Sequence, residues 1–360
     1  MNIIPFDEDG SPRIYTIHSQ KGGVGKTSIA LALAGISGAN GKKTLLIDAD
    51  MTGASISDVP GMEYELDKSS NRFNDLILAK PNEFMQVTAI WPAPKDNEDT
   101  ILKRQFCQRK MDHDAVYFIP SSARPEDVET MVPLISQEDH LHFFRHRIED
   151  TLAAAIRSGF QTIILDHSPG LFGLSKTALQ MSLEWGLPQD KSNHRLRHLL
   201  KGHLPEPSLQ ALLVSSFEPH DYKAVLVSLQ YVIGKLISIH KIDEDKYPES
   251  FVDSFRFVFN KARNFTDSIA ELDKILRKID DLAPYLKQML NDHEKEFGPQ
   301  IAPLIEGFEM GDICSKAKAF VQVYKTAAAD KQWGDWERWL RTVAYRARLI
   351  KEEKSHLSGR

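Results

Sequence analysis

The segment that decides the fold reads Lys21-Gly22-Gly23-Val24-Gly25-Lys26-Thr27. Alternating residues from Arg13 to His18 precede it as a short strand, and an apolar helical pattern from Thr27 to Ile36 follows it. Glycines let successive backbone N–H groups turn toward phosphate oxygens, and the helix N-terminus adds its dipole. A lysine at this place supplies charge to the β- and γ-phosphates, and a threonine hydroxyl ligates Mg²⁺. The sequence therefore predicts a nucleotide site with ATP and Mg²⁺ as cofactors.

Apolar runs that end in polar residues recur along the chain. They are Lys43–Ile47 before Asp48, Thr162–Leu165 before Asp166, Ala211–Val214 before Ser215, and Phe255–Phe259 before Asn260. Near-continuous apolar strands separated by helical patterns indicate a parallel sheet covered on both faces. We therefore expect an α/β fold with a doubly wound, mainly parallel sheet, whose polar strand ends gather at the edge where ligands bind.

Two stretches lack this alternation of apolar strands and helical patterns. Residues from about 60 to 149 contain one convincing strand, Ala115–Ile119, and predict a mostly helical insertion. Residues from about 186 to 207 are rich in proline and basic residues, which predicts a surface loop. Residues 1–265 are thus expected to form the ATPase domain, and residues 266–360 a C-terminal helical portion packed on it or extending it.

Charge and cysteine content narrow the class of protein. The 45 basic and 50 acidic residues give a formal net charge of −5, so the whole chain has no general attraction for nucleic acid or anionic lipid. Two cysteines, Cys107 and Cys314, argue against a disulfide framework or a cysteine-built zinc site. The N-terminal residues lack the apolar core of a signal peptide, and we expect a cytoplasmic protein.

The loop departs from the strict pattern G-x-x-x-x-G-K-[ST], because Gln20 stands where the first glycine belongs. With Lys21 at its start, the sequence resembles the deviant Walker A ATPases of the ParA/MinD type, over residues 13 to 60, 160 to 180 and 209 to 265. The resemblance implies an ATPase in which Lys21 reaches across a dimer interface to the partner's nucleotide, as an arginine finger does.

Three further motifs extend the resemblance. The strand end at 45–50 is similar to the family's second motif, which implies that Asp50 orients the attacking water and Asp48 supports the metal. Residues 163–170 resemble Walker B running into switch II, which implies that Asp166 faces Mg²⁺. Residues 257–263 resemble the base-recognition segment, which implies that Asn260 reads adenine and that Arg263 shapes its pocket.

The predicted site therefore has three groups of residues. The catalytic residues are Lys21, Lys26 and Asp50. The metal ligands are Thr27, Asp48 and Asp166. The nucleotide contacts are Lys21, Gly22, Gly23, Val24, Gly25, Lys26, Thr27, Ser28, Asn260 and Arg263.

The resemblance also implies a function. It is an ATP-dependent homodimer that switches between states to position or recruit a partner, DNA or cargo, as in partition, with slow hydrolysis stimulated by an activating protein. Two alternatives stay open: a nucleotide-bound regulatory or scaffold protein with little hydrolysis, and an enzyme that spends ATP on a small molecule.

Two surfaces could serve such a switch. Non-specific DNA would contact the basic cluster of Lys191, Arg195, Arg197 and Lys201, or the C-terminal arginines. A membrane would contact the terminal segment that carries Trp333, Trp336 and Trp339. Packing of those tryptophans on the core is the favoured interpretation of that segment.

Overall fold

A seven-stranded sheet organises the molecule in the computed structural model. The structure describes residues 10–39, 41–52, 56, 72–78, 116–122, 124–188, 194–202, 205–216, 218–242, 250–262, 282–297 and 300–303. The strands are β1 (Arg13–His18), β2 (Thr44–Ala49), β3 (Val116–Ile119), β4 (Thr162–His167), β5 (Ser208–Ser216), β6 (Phe255–Ala262) and β7 (Gln300–Pro303). Their order is β3-β2-β4-β1-β5-β6-β7, and each neighbouring pair is parallel, which confirms the predicted fold class.

Helices cover both faces of this sheet. They are α1 (Lys26–Ala39), α2 (Phe73–Leu78), α3 (Pro125–Ser136), α4 (Glu138–Arg157), α5 (Gly173–Trp185), α6 (Arg195–Leu199), α7 (Pro219–His240), α8 (Ser250–Asp253) and α9 (Pro284–Phe297). In β4, Ile163 and Leu165 join a core cluster with α4 and α5. Thr162 points the other way and accepts a hydrogen bond from Ser37 of α1. Successive strand residues face opposite sides, so α1 lies on the face opposite α4 and α5.

The order of the strands places the loop after β1 at a crevice. The chain passes from β1 to β2 by skipping β4, and from β4 to β5 by skipping β1. The chain therefore leaves β1 toward one edge of the sheet and leaves β4 toward the other edge. The two connections separate at the carboxyl ends of these neighbouring strands. In open α/β sheets this divergence is where ligands bind.

The described parts of the 60–149 stretch belong to the main core. Strand β3 pairs in parallel with β2, from Val116 opposite Thr44 to Ile119 opposite Ile47. Phe73 of α2 and Ile148 of α4 are buried in the cluster that also covers β2 and β4. These elements therefore complete the sheet and its core, instead of standing outside it as an insertion. The segment 79–115 lies outside the described residues.

Three boundaries differ from the sequence pattern. Strand β6 continues through Ala262, so Asn260 lies inside the strand and not at its end. The 186–207 stretch contains the short helix α6. Within the portion predicted to be helical beyond residue 266, α9 is a helix but Gln300–Pro303 forms strand β7, so that prediction is wrong for these four residues. Most other residues of that portion lie outside the described ranges.

Candidate functional site

The phosphate loop joins β1 to α1 at the crevice. Gly23 and Gly25 adopt φ angles of +73° and +93°, a region that glycine enters without the steric cost of a Cβ. The amide of Ile29 donates to the carbonyl of Gly25 at 3.1 Å, which opens the helix. Val24 is anchored in the core, and Lys26 is buried at the first position of α1. The sequence-predicted loop residues are therefore brought together, with Thr27 and Ser28 in the first turn of the helix.

Thr27 and Asp166 meet across the crevice. The Thr27 hydroxyl donates to Asp166 Oδ2 at 2.6 Å. Asp166 is 1% exposed, and its Oδ1 has no hydrogen-bond partner among the described residues. Burial raises the pKa of Asp166 to about 6, although the charge of Lys26 and the bond from Thr27 oppose the shift. A buried carboxylate oxygen without a partner, next to a hydroxyl, fits the oxygen ligands that Mg²⁺ prefers.

Asp48 and Asp50 follow β2 and have different surroundings. Asp48 lies beside Asp166 in the strand register. Its Oδ1 accepts from the amide of Asp50 at 3.1 Å, and its Oδ2 accepts from the amide of Ile56 at 3.3 Å. Burial and the neighbouring charge of Asp166 raise the pKa of Asp48 well above its usual range. Both Asp48 oxygens therefore hold the turn that presents Asp50, and the metal contact of Asp48 stays a prediction.

Asp50 is placed at the exit of that turn. One of its oxygens, Oδ1, accepts from the amide and the hydroxyl of Thr52, at 3.2 and 2.8 Å. The residue is buried at 8% exposure on the same sheet edge as Asp166. A carboxylate fixed in this way is suited to orienting a water molecule, the role that the resemblance implies.

Lys21 lies at the mouth of the loop and contacts α7. Its side chain is 57% exposed, and its Nζ lies 3.2 Å from Asp221 Oδ1 and 3.4 Å from His220 Nε2. Asp221 also accepts a hydrogen bond from Ser216 Oγ. The sequence pattern around 215–225 indicated only fold, so it missed Asp221. The available signal was an acidic residue in the first turn of a helix that begins at a proline, where a carboxylate is stabilised.

Two buried histidines lie behind the loop. The rings of His18 and His167 stack with centroids 4.9 Å apart and planes at 6°. His18 Nδ1 lies 3.0 Å from Ser175 Oγ of α5, and neither ring nitrogen of His167 has a hydrogen-bond partner among the described residues. Burial, with the nearby charge of Lys26, lowers the pKa of His167 to about 3, so this ring is neutral near pH 7.

The predicted base contact is placed only through its backbone. Asn260 lies opposite Ser216 in the β5–β6 register, two strands from β1. The side chain of Asn260 and the whole of Arg263 lie outside what the structure describes. Their contact with adenine stays a prediction.

Comparison with known proteins places this site in a family. A family model described as an AAA domain, AAA_31, matches residues 12–196, just over half of the chain. Uncharacterised proteins from two strains of Mycobacterium tuberculosis are 37% identical over 65 residues, 18% of this chain, and the match spans only 20% of those relatives' length.

Two solved structures are similar to this chain over most of its length. The Cyanothece McdA–ATP complex has a TM-score of 0.52 at 13% identity, over 95% of this chain and 98% of that chain. The cell division ATPase MinD of Pyrococcus furiosus has a TM-score of 0.47 at 17% identity, over 92% of this chain and 98% of that chain. The match to an AAA domain and the fold shared with McdA agree with the resemblance that the sequence predicted.

Proposed function

The chain belongs to the AAA_31 family of AAA domains, and on that premise we propose that it is a Mg²⁺-dependent ATPase that works as a dimerisation switch. One observation carries the proposal. Asp166 is buried with one carboxylate oxygen bound by Thr27 and the other without a described partner, beside the buried Lys26. Such a centre offers an unused carboxylate oxygen to a cation, and Lys26 offers a positive charge to a phosphate chain.

Each residue of the centre has a separate part in binding. Lys26, buried at the start of α1, holds the β- and γ-phosphates as a point charge. Thr27 donates a hydrogen bond to Asp166 and so would present its oxygen to the cation, while Asp166 Oδ1 would bind the cation or accept a hydrogen bond from its water. A cation held by Thr27 and Asp166 would supply positive charge against the negative charge that develops on the transferred phosphoryl group.

Asp50 supports hydrolysis. Asp48 fixes the turn through two backbone amides, and Asp50 then orients the attacking water. Phosphate release by Asp50→Ala should fall at least about tenfold, within the range expected for loss of general acid–base assistance, while ATP binding persists. The matched control is Asp253→Ala, an aspartate 61% exposed on α8. Equal release by wild type and Asp50→Ala would refute the role. Binding without any release by wild type would instead identify a regulatory or scaffold protein.

Lys21 supports the dimer. More than half of its side chain is exposed at the mouth of the loop, so a second copy facing the same edge can meet it. Sedimentation velocity of the Asp50→Ala protein with Mg²⁺ and ATP should show dimers, and adding Lys21→Ala should return it to monomers. Lys201→Ala, which changes an exposed lysine outside the site, should leave the dimers intact. A monomer under all conditions would contradict the switch.

The partner that the switch recruits is proposed to be a protein. Arg195 pairs with Asp150, and Arg197 pairs with Glu206 while it lies over the ring of Trp185. Two of the four basic residues considered for DNA are thus neutralised within the molecule, which weakens that surface. A gel shift with random duplex DNA at physiological salt should show no ATP-dependent binding.

Membrane attachment has little support in the described residues. One of their helices, α7, is long and apolar enough by composition to cross a membrane. Its apolar residues Val225, Leu229 and Ile233 pack in the core beside β5 and β6. The composition of α7 is therefore explained by the packing of the sheet.

A further inference from the structure

Gln20 makes contacts that no glycine could make. Its side-chain oxygen, Oε1, accepts one hydrogen bond from the backbone amide of Leu171 at 3.1 Å and another from the Ser228 hydroxyl at 3.2 Å. Leu171 follows the Pro169-Gly170 turn after β4, and Ser228 lies on α7. In the strict loop pattern a glycine occupies this position, so both contacts exist because the pattern is broken.

The turn that Gln20 holds lies directly beside the phosphate loop. The amide of Gly170 donates to the carbonyl of Ser19 at 2.9 Å. A Cβ added at Gly22 would lie 4.0 Å from Pro169 Cγ, which is ordinary contact distance. Residues 19–22 and 169–171 are therefore packed against each other, and a displacement of one segment displaces the other.

The far end of the turn is also fixed. Gly173 has a φ of +51°, and a Cβ there would lie 2.6 Å from the carbonyl oxygen of Ile135 in α3. The Leu171 side chain is buried in the cluster that contains Leu226 and Leu229 of α7. Packing thus holds the Leu171 side chain and the far end of the turn. Hydrogen bonds to Gln20 Oε1 and from the Gly170 amide link the turn to the phosphate loop.

Helix α7 receives contacts from two consecutive loop residues. Lys21 reaches Asp221, and Gln20 reaches Ser228. Positions 221 and 228 are seven apart, so they lie on one face of the helix, two turns from each other. The same face of α7 is therefore joined to the start of the phosphate loop along two turns.

We propose that Gln20 is a positioning residue for the ATPase reaction, whose side-chain oxygen sets the 169–171 turn against the phosphate loop and links that turn to α7. The inference rests on the proposed ATPase function. Gln20 itself needs to touch neither substrate nor metal. Gln20 acts through the turn that follows Asp166. A nucleotide-driven movement of the phosphate loop is then transmitted to Ser228 through Gln20 Oε1.

The main test compares Gln20→Leu with Gln20→Glu. Leucine removes the acceptor at similar size, whereas glutamate keeps an acceptor oxygen at the same place. Gln20→Leu leaves the backbone amide of Leu171 without its acceptor. We therefore expect about a tenfold fall in kcat and about tenfold faster hydrogen exchange in the peptide containing Leu171, with the KM for ATP nearly unchanged. Gln20→Glu should keep kcat and exchange near wild type, and raise KM because its charge repels the phosphates.

A second pair of variants tests the link to α7. Ser228→Ala removes the donor, and Ser228→Thr keeps it. Ser228→Ala should lower kcat by about threefold, less than Gln20→Leu, because Leu171 keeps its own bond to Gln20. Ser228→Thr should match wild type. Far-ultraviolet circular dichroism and the thermal midpoint establish that each variant is folded.

Two results would overturn the inference. One is an unchanged exchange rate at Leu171 in Gln20→Leu, and the other is an equal loss of kcat in Gln20→Leu and Gln20→Glu. If wild type itself releases no phosphate, the ATPase proposal fails, and exchange with and without Mg²⁺ and ATP still decides the Gln20 contact. Nucleotide should then change the Leu171 exchange in wild type and Gln20→Glu, but not in Gln20→Leu. An identical nucleotide response in all three proteins would refute the link.

Discussion

The carboxyl edge of the sheet and the junction of α4, α5 and α6 both bury charged side chains, but they balance them differently. At the edge, Asp166 lies close to the buried Lys26, and the buried Asp48 and Asp50 lie close to Asp166. Negative charge exceeds positive charge there among the described residues, and Asp166 Oδ1 has no described partner. The edge therefore has more buried carboxylates than buried cations among the described residues.

At the junction, the three cations Arg145, Arg147 and Arg195 match the three carboxylates Glu149, Asp150 and Glu184 in charge, although Glu149 Oε2 has no hydrogen-bond partner among the described residues. Arg145 contacts Glu149 at 3.2 Å and Glu184 at 2.6 Å, and Arg195 contacts Asp150. His194 is buried between these groups and edge-on to the ring of Trp185. Buried charge is therefore not itself a sign of a binding site. A cluster that is balanced internally supports the fold, and a cluster with an unbalanced charge awaits a ligand.

Breaking the junction should have the largest effect. Arg145→Met leaves Glu149 and Glu184 buried without their cation, which predicts a loss of about 3–5 kcal/mol in the free energy of unfolding. Urea denaturation measures this loss, and Arg145→Lys, which keeps the charge, should lose less. A loss under about 1 kcal/mol, the range of a surface ion pair, would contradict the balanced-cluster account.

Breaking the edge should affect the ligand. Lys26→Ala removes the buried cation that faces the phosphates, and ATP affinity should fall about 100-fold, as expected for charge-assisted hydrogen bonds. Fluorescence titration with a labelled ATP analogue measures the affinity. Lys201→Ala is the control, since its lysine is exposed and remote from the loop. Equal affinities for wild type and Lys26→Ala would remove the edge from the proposal.

Acid should weaken the junction through His194. Burial, with the positive charge of Arg145, lowers the pKa of His194 to about 3, against 6.5 in the unfolded chain. A lowered pKa means that the stabilising contribution is complete above pH 6.5 and is lost as the pH falls toward the folded value. Between pH 6.5 and 5, wild type should lose up to about 1.4 kcal/mol per pH unit more than His194→Asn. Urea denaturation across this range checks the slope, and parallel curves for the two proteins would refute it.

The two regions also differ in how much the sequence could predict. The phosphate loop is encoded locally, because its glycines, lysine and threonine lie within seven consecutive residues, and β1 ends at His18 as the pattern predicted. The contacts of Lys21 with Asp221 and of Gln20 with Ser228 join positions far apart in the chain. Their pairing depends on the packing of α7, which residue types alone do not specify.

Short strands and turns were the other limit. Strand β7 has four residues, too few for an alternating pattern to distinguish a strand from a helix. Strand β3 was predicted as Ala115–Ile119, but its residue pattern did not indicate that it pairs with β2 in the main sheet. Asp48 was a reasonable metal ligand by position, yet its oxygens accept two backbone amides. These two hydrogen bonds depend on the geometry of the local turn. An aspartate at a strand end can occur with or without such a turn.

The central claim is that Asp166, whose Oδ2 accepts from Thr27 and whose Oδ1 has no partner among the described residues, binds Mg²⁺ together with the nucleotide. Isothermal titration of ATP into wild type and Asp166→Asn, with and without Mg²⁺, tests it most directly. We expect Mg²⁺ to tighten ATP binding to wild type and Asp166→Asn to remove this dependence. Equal affinity of wild type with and without Mg²⁺, or full Mg²⁺ dependence in Asp166→Asn, would contradict it.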